Sequence, residues 1–346
     1  MSPVQTAAPT ILINEVGPRD GLQNQRVLVP MADKLRLIDA LVRSGLRAIE
    51  VTSFVSPKAV PQMADADLLF RALAVQSALV APSALAAHAA PAARRIAYSA
   101  LVPNMRGLAR AAAASVGEIA VVLSATETMN QRNIQMSLAQ ARAVCAQTLT
   151  AARQHGMRTK AYIAVAFECP FEGPVPPSQV LQMMRDMAAA GADELVVADT
   201  IGAAGPAQVM ALFTTAVAQF GAQRVSAHFH DTRGLAVANA WAAIQAGVRK
   251  FDSSIGGLGG CPFAPGAAGN LATEDLVLLA QTCGFETGVS LAGLRSAMHL
   301  AQELTQTTLG GRCNAWLEMQ EQRAASDARR RAHQLDDLPT LPVELV

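Results

Sequence analysis

The feature that most constrains this chain is a pattern repeated eight times: a short apolar run ending in polar or glycine residues, then a longer amphipathic stretch. The strand-like runs cover residues 11–15, 48–53, 96–101, 118–123, 160–166, 194–198, 224–230 and 250–254. Between them lie Ala-, Leu- and Arg-rich segments such as 32–43, 138–154, 178–190 and 207–219. Their apolar residues recur at three- and four-residue spacing with few internal Gly or Pro, the helical period. Strands alternating with helices imply parallel βα units. Eight of them predict a (β/α)8 TIM barrel, typically ~250 residues with tolerated insertions, followed by additional C-terminal helices. A doubly wound sheet is the competing architecture. It calls for a Gly-rich dinucleotide turn straight after the first strand, and here that turn reads Gly17-Pro18-Arg19-Asp20-Gly21. Residues 75–80 are a candidate for a ninth strand, and after Gly284 the chain reads as helical over 291–308, then irregular. The irregular end carries a basic run, Arg329 to Arg331, and reads as a solvated tail.

Composition narrows the function classes. The chain is 51% hydrophobic and 16% charged with a net charge of +1, which suits a soluble enzyme and gives no global field for nucleic acid or a membrane surface. No stretch approaches ~20 apolar residues free of charges, and the first ten residues lack the basic start and apolar core of a secretory signal. The five cysteines, Cys145, Cys169, Cys261, Cys283 and Cys313, are odd in number and contain no CxxC pair. Reduced thiols and a cytoplasmic setting are therefore expected.

In a TIM barrel, catalytic groups sit where strands end and βα loops begin, and polar residues collect at those positions here. Arg19 and Asp20 follow the first run; Glu50 lies in the second; Asp199 and Thr200 end the sixth; His228 and His230 lie in the seventh. The eighth opens into Gly256-Gly257-Leu258-Gly259-Gly260-Cys261-Pro262, then Gly269-Asn270. On a strand, residues i and i+2 face the same side, so both imidazoles point into the barrel mouth about 7 Å apart along the strand, a spacing that suits one metal ion. The alternative is two ordinary loop histidines. Asp20 is the natural carboxylate partner, because the first strand adjoins the eighth in a closed barrel; the alternative is a turn aspartate before Gly21. Arg19 is placed to stabilise an enolate oxygen or to pair with Glu50, and both roles are compatible. The glycine-rich loop around Cys261 lets backbone approach a ligand, but without a GK[ST] it does not read as a nucleotide-phosphate loop.

Several stretches resemble the 3-hydroxy-3-methylglutaryl-CoA lyase family. They are residues 15–24 (EVGPRDGLQN), 49–58 (IEVTSFVSPK), 199–202 (DTIG), 228–232 (HFHDT) and 257–275 (GLGGCPFAPGAAGNLATED), in order and at compatible spacing. The resemblance, over roughly residues 11–305, implies a divalent cation, Mg²⁺ or Mn²⁺, held at Asp20, His228, His230 and Asn270, although the ligand types alone also admit zinc. It implies a catalytic set of Arg19, Cys261, His228, Glu50 and Asp199, with Glu274 supporting and with Gln23, Arg26 and Thr200 beside Arg19 at the substrate; Arg233 is a further candidate for substrate contact, on its charge alone. Arg19 polarises the thioester carbonyl, Cys261 donates a proton to the enolate carbon, and Arg26 stands where the family has a substrate-contacting lysine. The implied reaction is cleavage of 3-hydroxy-3-methylglutaryl-CoA to acetyl-CoA and acetoacetate, as in leucine catabolism and ketone body formation. His228 or a water on the metal is the implied base. The implied organisation is a catalytic domain over 1–310, a divergent tail over 311–346, and a homo-oligomer, dimer or tetramer, with an acyl-CoA as its partner molecule.

Departures from the family pattern bear on substrate. Arg233-Gly234-Leu235 replaces the family's usual Tyr-Gly-Gln, Phe229 replaces a small residue between the histidines, and Phe167-Glu168 precedes Cys169-Pro170 where the family carries a smaller residue. Arg233 adds a cation near the acidic end of the pocket, or points to solvent. The rival readings are a sister lyase for citramalyl-CoA or a longer-branched 3-hydroxyglutaryl-CoA, a condensing enzyme of the isopropylmalate-synthase type, and a catalytically silent barrel that serves as a binding protein.

Overall fold

The computed structural model describes residues 8–79, 96–260 and 269–336. The chain divides into two compact units, Met1–Gly311 and Arg312–Val346. The first unit is a closed barrel of eight parallel strands: β1 (Leu12–Glu15), β2 (Ala48–Ser53), β3 (Ala97–Leu101), β4 (Glu118–Ser124), β5 (Arg158–Ala164), β6 (Glu194–Asp199), β7 (Val225–Phe229) and β8 (Lys250–Ser253). Each strand pairs with the next, and β1 closes the ring against β8 with Asn14 opposite Asp252 and Glu15 opposite Ser253. It is a (β/α)8 TIM barrel with helices between its strands and further helices toward the C-terminus.

Two apolar layers follow from the period-two alternation of the strands. Outward residues such as Ile49, Val51, Ile119, Val121, Leu195, Val197, Ala227 and Phe251 join the main core beneath the helices. Phe229 belongs to this outer layer and meets Phe213 edge-on at 6.1 Å. Inward residues form a much smaller cluster of Leu101, Ala120, Tyr162 and Val196. The rest of the barrel interior is polar and stacked in levels. Near the strand starts, Lys160 pairs with Glu118 at 2.7 Å and Lys250 with Glu194 at 3.0 Å, and the Ser226 hydroxyl donates to Glu194 at 2.7 Å. Ionised groups this deep are tolerated because each is paired.

The helices stop and start where the local chemistry dictates. Helix Leu138–Gln154 opens on a capping box between Ser137 and Gln140, which satisfies two otherwise orphaned N–H groups. Helices Pro177–Ala189 and Pro206–Phe220 begin on proline, whose missing N–H is harmless in a first turn. The candidate ninth strand does not form: residues 75–79 lie in helix Ala66–Leu79, and residue 80 is outside the described residues. An Ala- and Leu-rich stretch propagates as helix once a turn has formed. The run at 160–166 is also shifted, since β5 ends at Ala164 and Val165 takes a left-handed φ of 50°. That conformation is costly for a β-branched residue and is held by the Thr200 hydroxyl, which accepts the Val165 N–H at 2.8 Å.

The second unit corrects the expectation of an irregular tail. Residues 314–336 form one helix, Asn314–Asp336, because the segment is rich in Ala, Glu, Gln and Arg, all strong helix formers, and contains neither Gly nor Pro. Arg329 and Arg331 lie in it, their side chains outside the described residues. Among the described residues no helix is long and apolar enough to cross a membrane.

Candidate active site

The site begins with an unusual turn. Directly after β1, residues Gly17–Gly21 make a single turn of π-helix, with the Val16 carbonyl accepting from Asp20 N–H at 2.8 Å and Gly21 N–H at 3.3 Å. Such turns are rare and recur at functional sites. Here the turn puts two consecutive side chains, Arg19 and Asp20, at the barrel mouth. It is braced from below by Glu15, which is fully buried and accepts from Gly17 N–H (2.8 Å), Ile255 N–H (2.9 Å) and the Thr273 hydroxyl (2.6 Å). A Cβ on residue 17 would stand 2.6 Å from the Glu15 carboxylate, so a side chain there would have to displace that hydrogen-bonded carboxylate. Burial pushes the Glu15 carboxyl up to about 7, against these hydrogen bonds.

Opposite this turn, β7 carries His228 and leads directly into His230, whose rings lie 5.2 Å apart between centroids. One ligand atom each from Asp20, His228 and His230 fall within 4.8 Å of one another. An isolated antiparallel bridge sets Asn270 beside His230, and the Asn270 amide donates to Asp20 at 2.9 Å and to the Leu258 carbonyl at 3.2 Å. The strand-end glycines allow this closeness: a Cβ on residue 269 would sit 1.9 Å from the Gly257 carbonyl oxygen. Two buried polar atoms in the cluster, His230 Nδ1 and Asn270 Oδ1, have no hydrogen-bond partner. Buried groups of this kind call for an explanation. A cation supplies one, and a set of carboxylate oxygen, amide oxygen and imidazole nitrogens suits Mg²⁺ or Mn²⁺. The residues present therefore fit a divalent cation.

The electrostatics agree with that fit. Burial works against ionisation of Asp20, but Arg19 and the two imidazoles hold its carboxyl at about 2. Burial, reinforced by His228, pushes His230 down to about 4, which leaves it neutral at neutral pH, as a ligand must be. His228 moves the other way. Its Nδ1 lies 3.0 Å from Asp252, and that carboxylate outweighs burial to raise the imidazole above its usual range. Arg19 donates from Nε to Glu50 and from Nη1 to Asp20 at 2.6 Å, so it stays charged and still has donors of its planar fork for a ligand.

The other residues singled out in the sequence are placed as follows. Glu50 is buried beside Arg19, with the Tyr162 hydroxyl 3.3 Å from its second oxygen. Gln23 reaches Asp20 at 3.5 Å. Asp199 accepts the N–H groups of Ala203 and Ala204 at 2.8 and 3.0 Å, and Thr200 accepts that of Val165, so both help to shape the neighbouring loops. Glu274 accepts from Gly256 and Gly311 at 3.0 and 2.8 Å and braces the glycine-rich segment. Arg26 is exposed in the loop after the π-helical turn. Arg233 is half exposed; it reaches Glu168 and the Ala203 carbonyl, each at 3.2 Å, and so ties together the loops after β5, β6 and β7. Cys261 lies outside the described residues.

Three residues went unnoticed in the sequence: Asn14, Tyr162 and Asp252. Asp252 accepts from Asn14 at 2.8 Å and from the Tyr162 hydroxyl at 2.7 Å, besides meeting His228. Their signal was present as polar residues at inward positions of otherwise apolar strands, Lys250 and Asp252 in β8 and Asn14 in β1.

Known proteins resemble this chain in sequence and fold. The HMGL-like family model matches residues 10–301. A hydroxymethylglutaryl-CoA lyase of Bacillus subtilis, YngG, is 41% identical over 293 residues, covering 85% of this chain and 92% of that protein. A Pseudomonas aeruginosa protein described as a 3-hydroxy-3-isohexenylglutaryl-CoA/hydroxy-methylglutaryl-CoA lyase is 40% identical over 283 residues, 82% of this chain and 89% of that one. Among solved structures, an HMG-CoA lyase from Acinetobacter baumannii in complex with coenzyme A and 3-methylmalate superposes with a TM-score of 0.79 at 34% identity, over 90% of this chain and 96% of that chain.

Proposed function

The chain belongs to the HMGL-like family, and on that premise we propose that it is a divalent-metal-dependent lyase that cleaves 3-hydroxy-3-methylglutaryl-CoA to acetyl-CoA and acetoacetate. The observation that carries the reading is the convergence of Asp20, His228, His230 and Asn270 at the barrel mouth, with the Arg19 guanidinium bonded to the first of them. These four residues would hold the cation. When bound, it lowers the pKa of the substrate's C3 hydroxyl and neutralises charge on the substrate carboxylate.

The rest of the chemistry falls to the side chains. Arg19, held in plane by Glu50 and Asp20, donates from its remaining N–H groups to the thioester oxygen. It stabilises the negative charge that accumulates there as the C2–C3 bond breaks. Asp252 occupies Nδ1 of His228, so a ligand role and a base role for this imidazole compete for one nitrogen. The C3 hydroxyl proton therefore leaves to water at the mouth, where the Asp20 side chain is 16% exposed. Cys261, matched to the family's cysteine, gives the enolate carbon its proton, and acetyl-CoA and acetoacetate depart. Residues 1–310 carry this chemistry in a cytoplasmic homo-oligomer, followed by the divergent tail 311–346.

The test is release of acetyl-CoA from 3-hydroxy-3-methylglutaryl-CoA with Mg²⁺ or Mn²⁺ and with chelator. Brisk, chelator-sensitive release that His230→Ala abolishes is the expected result. Release indifferent to chelator would remove the metal from the mechanism, and no release from metal-loaded protein would remove the substrate. Light scattering at the monomer mass would remove the oligomer.

A further inference from the structure

We infer that Asp252 is a positioning residue for His228: it fixes the hydrogen of that imidazole on Nδ1 and so presents Nε2 to the cluster of Asp20, His230 and Asn270. The inference rests on the proposed metal site and adds to it the residue that prepares one of its ligands. Asp252 lies in the middle of β8 and is 3% exposed. Its neighbours on both sides are register partners, Asn14 on β1 and His228 on β7, so three polar side chains stand abreast on three adjacent strands. An ionised carboxylate only accepts hydrogen bonds. One oxygen takes the Asn14 amide at 2.8 Å, and the other takes the Tyr162 hydroxyl at 2.7 Å and lies 3.0 Å from His228 Nδ1.

That accounting leaves one assignment for the imidazole. Nδ1 faces an acceptor and carries the hydrogen, so the lone pair is on Nε2. The Tyr162 ring also meets the His228 ring edge-on, at 6.1 Å and 79°, which limits rotation about the side chain. Tyr162 extends the brace further, because its hydroxyl lies 3.3 Å from Glu50, the partner of Arg19. The two imidazoles of the cluster are thus prepared differently: His228 is tied through Nδ1, whereas His230 Nδ1 is buried without a partner. Carboxylates behind metal-bound imidazoles fix ring orientation, and their loss typically weakens metal affinity by roughly ten- to a hundredfold.

The experiment uses the full-length chain, stripped of metal and labelled with ¹⁵N-histidine; six histidines keep the spectrum assignable. Long-range ¹H–¹⁵N correlation reads the His228 tautomer, with His228→Gln locating its signals. Mn²⁺ affinity is measured separately by the EPR signal of the free ion. Nδ1–H is expected in the wild type. Asp252→Ala should lose that tautomer preference and bind Mn²⁺ roughly ten- to a hundredfold more weakly. Asp252→Asn should keep the tautomer, because its amide oxygen can still accept from Nδ1 while the Asn14 amide, whose Oδ1 has no partner, turns to match; its affinity should lie between the other two. An Nε2–H tautomer in the wild type overturns the inference even if Asp252→Ala does not fold. Wild-type Mn²⁺ affinity and tautomer in a folded Asp252→Ala overturn it while leaving the metal site standing. Wild-type protein that binds Mn²⁺ no better than His230→Ala removes the metal site and this inference with it.

Discussion

Replacing Glu15 with glutamine should make the protein more stable at alkaline pH and leave it little changed in acid. Glu15 is fully buried, and its carboxyl is raised from 4.5 to about 7 by desolvation. Between those values the folded chain holds a proton that the unfolded chain has released, so stability falls as pH rises through the window. The favourable contribution is complete below about pH 4.5 and gone above about pH 7. A shift of this size is worth about 3 kcal/mol, at 1.36 kcal/mol per pH unit. Glutamine cannot ionise, yet its amide oxygen can accept from Gly17 and Ile255 as Glu15 does, and its NH₂ can face the Thr273 hydroxyl. The stability difference, variant minus wild type, should therefore climb by about 3 kcal/mol from pH 4 to pH 8. For a chain this long that corresponds to about 4 °C in the melting midpoint. Urea unfolding of the metal-free proteins at a series of pH values measures it. A difference that stays flat with pH would show that Glu15 is ionised in the fold throughout, its three hydrogen bonds outweighing its burial.

Other perturbations separate the roles assigned above. Arg19→Lys keeps a cation but loses the fork that binds Glu50 and Asp20 together; kcat should fall by about 10² or more with a smaller change in KM, and an unchanged kcat would reduce Arg19 to a counter-ion. Cys261→Ser should lower turnover more than substrate binding in steady-state kinetics, and equal effects on both would deny it the proton transfer. Lys34 is buried and bonded to both oxygens of Asp65, at 2.8 and 2.9 Å, and to the Gln62 carbonyl. Lys34→Met should cost about 3 kcal/mol in urea unfolding by stranding Asp65, and a neutral result would mean that water reaches Asp65 and substitutes for the lysine.

How much of this was legible in the sequence depended on how local the signal was. Strand positions came from apolar runs of a few residues, and every barrel strand except β5 was placed to within a residue at each end. The HxH pair and the Gly-Pro-Arg-Asp turn were legible because two functional groups lie within one or two residues of each other. Asp252 was not, since Asn14 is 238 positions away, Tyr162 is 90, and no spacing rule connects them. Only the closed ring of strands makes them neighbours. Asp199 and Thr200 were marked by their place at a strand end, and the loop N–H groups that they also hold were not legible, because those contacts depend on the folded loops. The C-terminal helix was missed because a polar segment without an apolar stripe gives periodicity nothing to report, although its composition favours helix.

The pairing of β1 with β8 has a consequence for how the protein is made. Asn270 follows Asp20 by 250 positions, so at ~5–20 residues per second a ribosome needs roughly 12 to 50 s to add the last of the four ligands after the first. For most of that interval Arg19 and Asp20 belong to a nascent chain whose closing strand, β8, does not yet exist, and the proposed ligand set is incomplete. On the proposed function, loading of the cation is consequently a late event, available only to a chain translated almost to its end, and a product interrupted just before β8 would carry Asp20, His228 and His230 without Asn270 or the strand that closes the ring.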